Sequence, residues 1–511
     1  MRQHLTNFAS VESAERAIRE LLSTNVEWFL TQNGAHSLPL NTTEFDFSIA
    51  HQHLIFSCWT EKGSHSWRVK SWMWSGDGLI LEASRRMGAE NAVLELIPRA
   101  SARAVTAGMA AARLARCQKL ARVAAAALPG SKIEKAVLSP GMRRDQPGRY
   151  ARIILRLPQE RVALTATAGL NDPRNVDSLL SSALLWFSRL REKARRPYIE
   201  KLRLVVERDL LAAVRQRHAL LRDELRRIVE LFEIDESWEH LTPVKPLERK
   251  ELWRKRLARF PSPTESEVSE RARQIIAREP AAIDLVRSRH GETLRYQGLP
   301  FARVRRVMDS ERVWFGIDGP HRNILAERNQ REWEKLWRDL QTHRAASVND
   351  QPHWLYRAAG EAWLESILRR DITKLDPGLI IAPLHAQFRT AHGGLGARPI
   401  DLLALRHDGR LVVIELKVTE DREHVFQGVD YWRRVEAHRR RGHIASAKLF
   451  GDRAIADQSP LVYLVAPMLR FHPSFATLAR TIAPDIEIYR FDINEDWRSG
   501  VRVMRRTRVN G

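Results

Sequence analysis

The chain has 511 residues, enough for about three domains at roughly 150 residues each. Its 44% hydrophobic and 29% charged residues exclude a disordered chain. Its 84 Lys and Arg against 62 Asp and Glu give a formal charge of +22, which makes nucleic acid the first candidate partner, although an arginine-rich proteome would give the same excess.

Cys58 and Cys117 are the only cysteines and lack metal-ligand spacing, which argues against a disulfide framework or structural zinc. No run of ~18 apolar residues and no signal-like N-terminus is found, so a cytoplasmic, unanchored protein is expected. The sequence has no Gly-Lys dipeptide, which rules out a Walker A loop.

In chain order, Ser10 to Leu22 reads as an amphipathic helix, with Val11, Ala14, Ala17, Ile18 and Leu21 at helical spacing. From His53 to Pro98, the segments HLIFSCWT, SWRVKSWMW, LILEAS and AVLELIP are separated by turn-rich breaks and predict a β-meander. Trp59, Trp67, Trp72 and Trp74 could stack on bases, but alternate strand positions suit core packing better, and no function is assigned to them. Ser101 to Leu128 predicts a helix stopped by Pro129-Gly130, and YARIILRL and RVALTATA predict strands. Residues 1–175 are therefore expected to form an α+β domain without a catalytic signature.

Residues 176–350 read as a mainly helical basic region with a small β-hairpin, ETLRYQGLPFARVRRVMDSERVWFGIDG. Its basic faces suit a phosphate backbone, or equally i,i+4 pairing with acids such as Glu224 and Glu230. Ala345 to Pro352 is the best linker, and no internal repeat is evident.

The chemistry concentrates after His353. HWLYRAAGEAWLESILRR is helical, with Glu361 on the face of Leu364, Ile367 and Leu368, and Glu365 as the alternative acid. The extended segments LIIAPLHAQFR, PIDLLALR and RLVVIELKV follow, the last two joined by the turn HDGR. Asp401, Glu415 and Lys417 interrupt otherwise apolar strands, which is costly unless the charges pair or hold a metal. Glu415 and Lys417, two apart, share a face, and the hairpin brings Asp401 near them. Two close carboxylates suit Mg²⁺, a hard cation, and Lys417 can orient a water or stabilise developing charge. In the next helix Gln427 and Tyr431 are four apart. Arg433, Arg434, Arg439 and Arg440 are candidate phosphate contacts, although arginines there also suit the helix dipole. LVYLVAP, SFATLAR and IEIYRFDI complete an αβββαβ order with one more αβ step.

Asp401, thirteen residues, then Glu415-Leu416-Lys417, preceded by a helix acid and followed by Gln427-x-x-x-Tyr431, resembles the PD-(D/E)XK nuclease superfamily. Within it, GARPIDLLALRHDGRLVVIELK is most similar to NucS-like endonucleases, over residues 350 to 495. Pro399 stands two residues before Asp401, a departure from the literal motif. The resemblance implies a restriction-endonuclease-like αβββαβ core in a domain at 351–511 and Mg²⁺- or Mn²⁺-dependent cleavage of DNA leaving 5′-phosphates. Asp401 and Glu415 match the metal ligands, Glu361 the helix acid, Lys417 the catalytic lysine, and Gln427 with Tyr431 the helix motif. The expected protein is an endodeoxyribonuclease of repair, restriction or defence, with RNA and a homodimer left open. The alternative is a nucleic-acid-binding protein whose nuclease-like domain is an inactive scaffold.

Overall fold

The computed structural model describes the chain apart from residues 1–2, 5–9, 24, 26, 33–36, 42–43, 61–62, 76–77, 86–87, 89, 142–146, 170–175, 194–197, 255–259, 261–266, 289–290, 308–309, 318–321, 349 and 389–398. It is a mixed α and β chain with four sheets among the described residues.

Residues 3–98 form an antiparallel sheet in which His53–Thr60, Gly63–Ser75, Gly78–Arg85 and Glu90–Pro98 pair in sequence, as the alternating pattern predicts. Its buried face carries Phe47, Phe56, Trp67, Leu81 and Leu94, and helix Val11–Leu22 seats Ile18 and Leu22 against it. Ser10 caps that helix, accepting from the Ser13 N–H at 3.2 Å. Trp67 and Trp72 are buried in this core, so these two are packing residues.

Beyond this sheet the same succession of six strands and crossover helices occurs twice, the first set with one additional short helix before its fifth strand. The first set is α1 (Arg99–Ala126), β1 (Lys132–Pro140), β2 (Pro147–Arg156), β3 (Arg161–Thr167), α2 (Val176–Lys193), β4 (Ile199–Glu207), α3 (Arg208–His218), α4 (Asp223–Ile228), β5 (Val229–Ile234) and β6 (Leu241–Val244). The second set is α5 (Gly360–Arg370), β7 (His385–Phe388), β8 (Ile400–Leu405), β9 (Leu411–Leu416), α6 (His424–Arg439), β10 (Leu461–Pro467), α7 (Phe475–Ala479), β11 (Ile488–Ile493) and β12 (Val503–Arg508). Strand order follows chain order in both sheets. In both, the first three strands are antiparallel, the third to fifth run parallel, and the sixth is antiparallel to the fifth. Helices supply the crossovers that parallel neighbours require.

This arrangement corrects four expectations. An internal repeat is present, but in topology; a sheet needs only alternation and apolar runs, which unrelated residues satisfy. The region 176–350 is not mainly helical, because IEKLRLVVE and VELFEI are the strands β4 and β5. Strand β4 lies inside its sheet, and a short apolar run broken by charged residues satisfies helical spacing as well as strand spacing. The boundary expected at 175 therefore falls within one sheet. The expected hairpin is part of a five-stranded antiparallel sheet spanning Ile283–Ile324.

The two sets pack helix face against helix face. Leu179, Leu180, Ala183 and Leu184 of α2 and Leu210 and Val214 of α3 share one core with Val425, Phe426, Val429 and Trp432 of α6 and Phe475 and Leu478 of α7. At the centre, the segments preceding β5 and β11 pair antiparallel: Leu221 bridges Ile482, Arg222 N–H donates to Thr481 O at 2.9 Å, and Ala483 N–H donates to Leu220 O at 3.0 Å. Equivalent segments meeting one another is the contact pattern of a two-fold dimer, here within one chain.

The five-stranded sheet positions α5. Gly298 has φ +79, and a Cβ there would lie 2.0 Å from Ala362 O, so only glycine lets this turn dock against the helix. The buried Arg344 guanidinium donates to four carbonyls, Tyr296 at 3.0 Å, Gln297 at 2.8 Å, Leu355 at 2.6 Å and Ala358 at 2.7 Å. The expected linker contributes Val348 to the packing of the second set, so it is not a free tether. Among the described residues no helix is long and apolar enough to cross a membrane.

Candidate metal-binding site

The β8–β9 hairpin pairs Leu402 with Ile414, which sets Asp401 beside Glu415. Asp401 Oδ2 accepts from the Leu416 N–H at 2.9 Å, tying the acid to the neighbouring strand. Alternation places Asp401, Glu415 and Lys417 on the face where Leu403, Leu405 and Val413 pack with Tyr431 and Val435 of α6. Lys417 Nζ donates to Glu415 Oε1 at 2.6 Å, while Glu415 Oε2 is buried without a hydrogen-bond partner among the described residues. Burial and the charge of Asp401 push the Glu415 carboxyl well above the usual carboxylate range, against the pull of Lys417. Burial works against the Lys417 ammonium, but Glu415, Glu361 and Asp401 outweigh it and keep that pKa above its ordinary value.

Glu361, in the first turn of α5, lies 3.9 Å from Lys417 Nζ and is half exposed. Glu365 is buried and pairs with Arg295 at 3.3 Å, so of the two candidate acids only Glu361 faces the site. Asp421, which the sequence did not single out, is also 3.9 Å from Lys417 Nζ. The buried His424 ring donates through Nε2 to the Glu415 carbonyl at 3.2 Å. Burial and the nearby Lys417 charge push it down to about 3, which keeps the ring neutral. Gln427 donates to Glu423 at 3.3 Å, and its Oε1 is a second buried oxygen without a partner among the described residues. Tyr431, one turn on, sits in the apolar core with Arg434 5.2 Å from its ring centre.

A buried, half-satisfied carboxylate with a second carboxylate across the hairpin is an oxygen donor set that fits Mg²⁺ or Mn²⁺. Among the described residues no group of three or more His, Cys, Asp or Glu has metal-holding geometry. The set is therefore the pair Asp401 and Glu415, with Glu361 beside Lys417.

The candidate phosphate contacts on α6 already hold acids of their own helix. Arg433 and Arg434 bind the buried Asp430 at 2.7 and 2.5 Å, and Arg439 and Arg440 bind the buried Glu436 at 2.7 and 2.6 Å. Arg433, Arg434 and Arg439 expose 15% or less of their side chains, whereas Arg440 exposes 48%. The signal was in the sequence, since each acid stands three or four residues before its arginines. Asp430 also takes Arg217 of α3 at 3.1 Å, and Arg217 takes Asp177 of α2 at 3.0 Å, so this network joins the two sets.

The repeat locates the matching positions in the first set. The β2–β3 turn is closed by Leu157 N–H to Glu160 O at 2.9 Å, and the β8–β9 turn by Arg406 N–H to Arg410 O at 2.9 Å. Counting from these bonds, Arg152, Thr165 and Thr167 stand where Asp401, Glu415 and Lys417 stand in the second set, and Arg152 pairs with Thr165. The first set therefore lacks the two acids and the ammonium. Comparison of the chain with protein-family models, with curated proteins and with solved structures returned no match.

Proposed function

We propose that residues 360–493 form a restriction-endonuclease-like core and that the chain is a metal-dependent nuclease hydrolysing DNA phosphodiesters. The observation that carries this is Glu415: burying a carboxylate beside Asp401 with one oxygen unpartnered costs stability, and a divalent cation is the ligand that repays it. In this reading Asp401 and Glu415 hold Mg²⁺ or Mn²⁺, with Glu361 at the rim. Bound there, the ion supplies Lewis acidity to the phosphodiester and lowers the pKa of a water. Lys417 holds a positive charge beside the reacting phosphate, and Glu415 in turn orients its ammonium. His424 and Asp401 brace β9 through its backbone, and Gln427 presents an amide oxygen to the same cavity.

The test is cleavage of single-stranded, duplex and branched DNA with and without Mg²⁺. Asp401→Asn, which keeps an acceptor for Leu416, should lower the rate by about 10³-fold and remove Mg²⁺ binding measured by calorimetry. A wild-type protein that cleaves none of these substrates would return the domain to the scaffold reading. Asp401→Asn cleaving as wild type does would remove the assigned ligands.

A further inference from the structure

We propose that the first set carries a phosphate-binding site for the nucleic-acid strand, built from Arg152 and Arg189 together with Arg422 of the β9–α6 loop. The proposal takes from the nuclease reading only the kind of polyanion, DNA.

Arg152 stands on β2 at the position of Asp401, so the repeat has exchanged an acid for a guanidinium at the corresponding place. It shares a face of β2 with Tyr150 and Ile154, beneath α2, and lies 5.6 Å from the ring centre of Trp186 on that helix. Arg189 is three residues further along α2 and exposed. Arg422 is exposed as well, and its carbonyl accepts from Ser181 Oγ of α2 at 3.4 Å, which pins the loop to the first set. The charge of Arg422 reaches Tyr150, which shares the face of Arg152.

None of these three arginines has an ion-pair partner among the described residues, whereas those of α6 are matched to acids. Burial first, and then the charges of Arg189 and Arg422, push the Arg152 guanidinium down to about 10. The carboxylates nearest the cluster, Glu420, Asp421 and Glu423, belong to the same loop as Arg422, and Asp421 lies at the Lys417 site. One loop thus carries both Arg422 and Asp421, which lies 3.9 Å from Lys417 Nζ. Guanidinium groups suit phosphate oxygens through paired N–H donors. The stacking on Trp186 accounts for one arginine and leaves the other two unexplained.

Binding of a short labelled DNA duplex to the full chain, followed by fluorescence anisotropy across a salt series in EDTA, tests the site without cleavage. Arg189→Gln and Arg422→Gln, both exposed, should each lower the slope of log affinity against log salt by about one, and the double variant should bind about tenfold more weakly near physiological salt. Lys448→Gln, exposed and far along the chain, should leave the slope unchanged. Arg152→Gln should act as the exposed variants do, and these keep the proposal testable if it fails to fold. The proposal falls if the double variant keeps the wild-type slope and affinity, or if the wild type does not bind. Steep salt-dependent binding that needs these arginines, without cleavage when Mg²⁺ is added, would remove the nuclease reading and leave this site standing.

Discussion

The two sets of six strands share order, directions and helix placement, yet treat the same positions in opposite ways. At the end of the central hairpin the second set buries Asp401, Glu415 and Lys417, and the first places Arg152, Thr165 and Thr167 there. The apolar neighbours differ little in kind: Val162, Ala163 and Leu164 are buried in β3 as Val412, Val413 and Ile414 are in β9. The contrast separates two demands on one architecture. Packing asks only for apolar residues at the right period, while chemistry asks for particular charges, and a duplicate relieved of the second demand can keep the first. The costs differ too, because Glu415 is a strained carboxylate that its counterpart threonine avoids.

The joint between the sets offers the largest perturbation. Asp430→Ala leaves Arg217, Arg433 and Arg434 facing one another in a buried site, and should cost about 3–5 kcal/mol in urea unfolding. Loss of less than about 1 kcal/mol would show that the network is incidental to holding the sets together. Acid is the next test. His218 and His424, one from each set, are buried and pushed down to about 4 and about 3 by desolvation. Depressed pKa values give stability that is present above the unfolded value near 6.5 and lost as pH falls below it, about 2 kcal/mol per histidine by pH 5. The measurement belongs in a Glu415→Gln background, because Glu415, raised in the fold, contributes with the opposite sign.

A smaller effect is expected where α6 approaches β10. A Cβ on Gly428 would lie 2.5 Å from Leu464 Cδ2, so Gly428→Ala should cost about 1–3 kcal/mol by overpacking and show as a lower thermal midpoint. The smallest effect runs the other way. The raised Glu415 pKa means that stability is lost as pH rises through it; Glu415→Gln relieves that cost but leaves the buried Lys417 ammonium to Glu361 and Asp401, so the metal-free protein should gain no more than about 1 kcal/mol at neutral pH. The substitution should also abolish any stabilisation by Mg²⁺. Thermal unfolding with and without the ion checks both, and a variant less stable than wild type would mean that the carboxylate is satisfied as it stands.

Much of this was legible before folding. The meander of residues 53–98, the helix that follows it, and the hairpin carrying Asp401 and Glu415 are local matters, set by alternation, turn residues and helical period over a few residues. Lys417 on the face of Glu415 follows from a period of two. What local pattern could not reveal depends on neighbours far along the chain. Strand β4 has a run that suits either element, and only flanking strands decided it. Glu361 and Glu365 share a helix face in part, and Arg295 of another sheet settled which one meets Lys417. The arginines of α6 read as candidate phosphate contacts or dipole charges, and only the fold shows that buried Asp430 and Glu436 hold them. Asp421 and His424 joined the site because the β9–α6 loop folds back on Lys417 and Glu415. By itself the sequence determined which residues can carry the chemistry. Tertiary structure decided which charges are compensated and which are left for a ligand, since burial and distance are properties of the assembled fold.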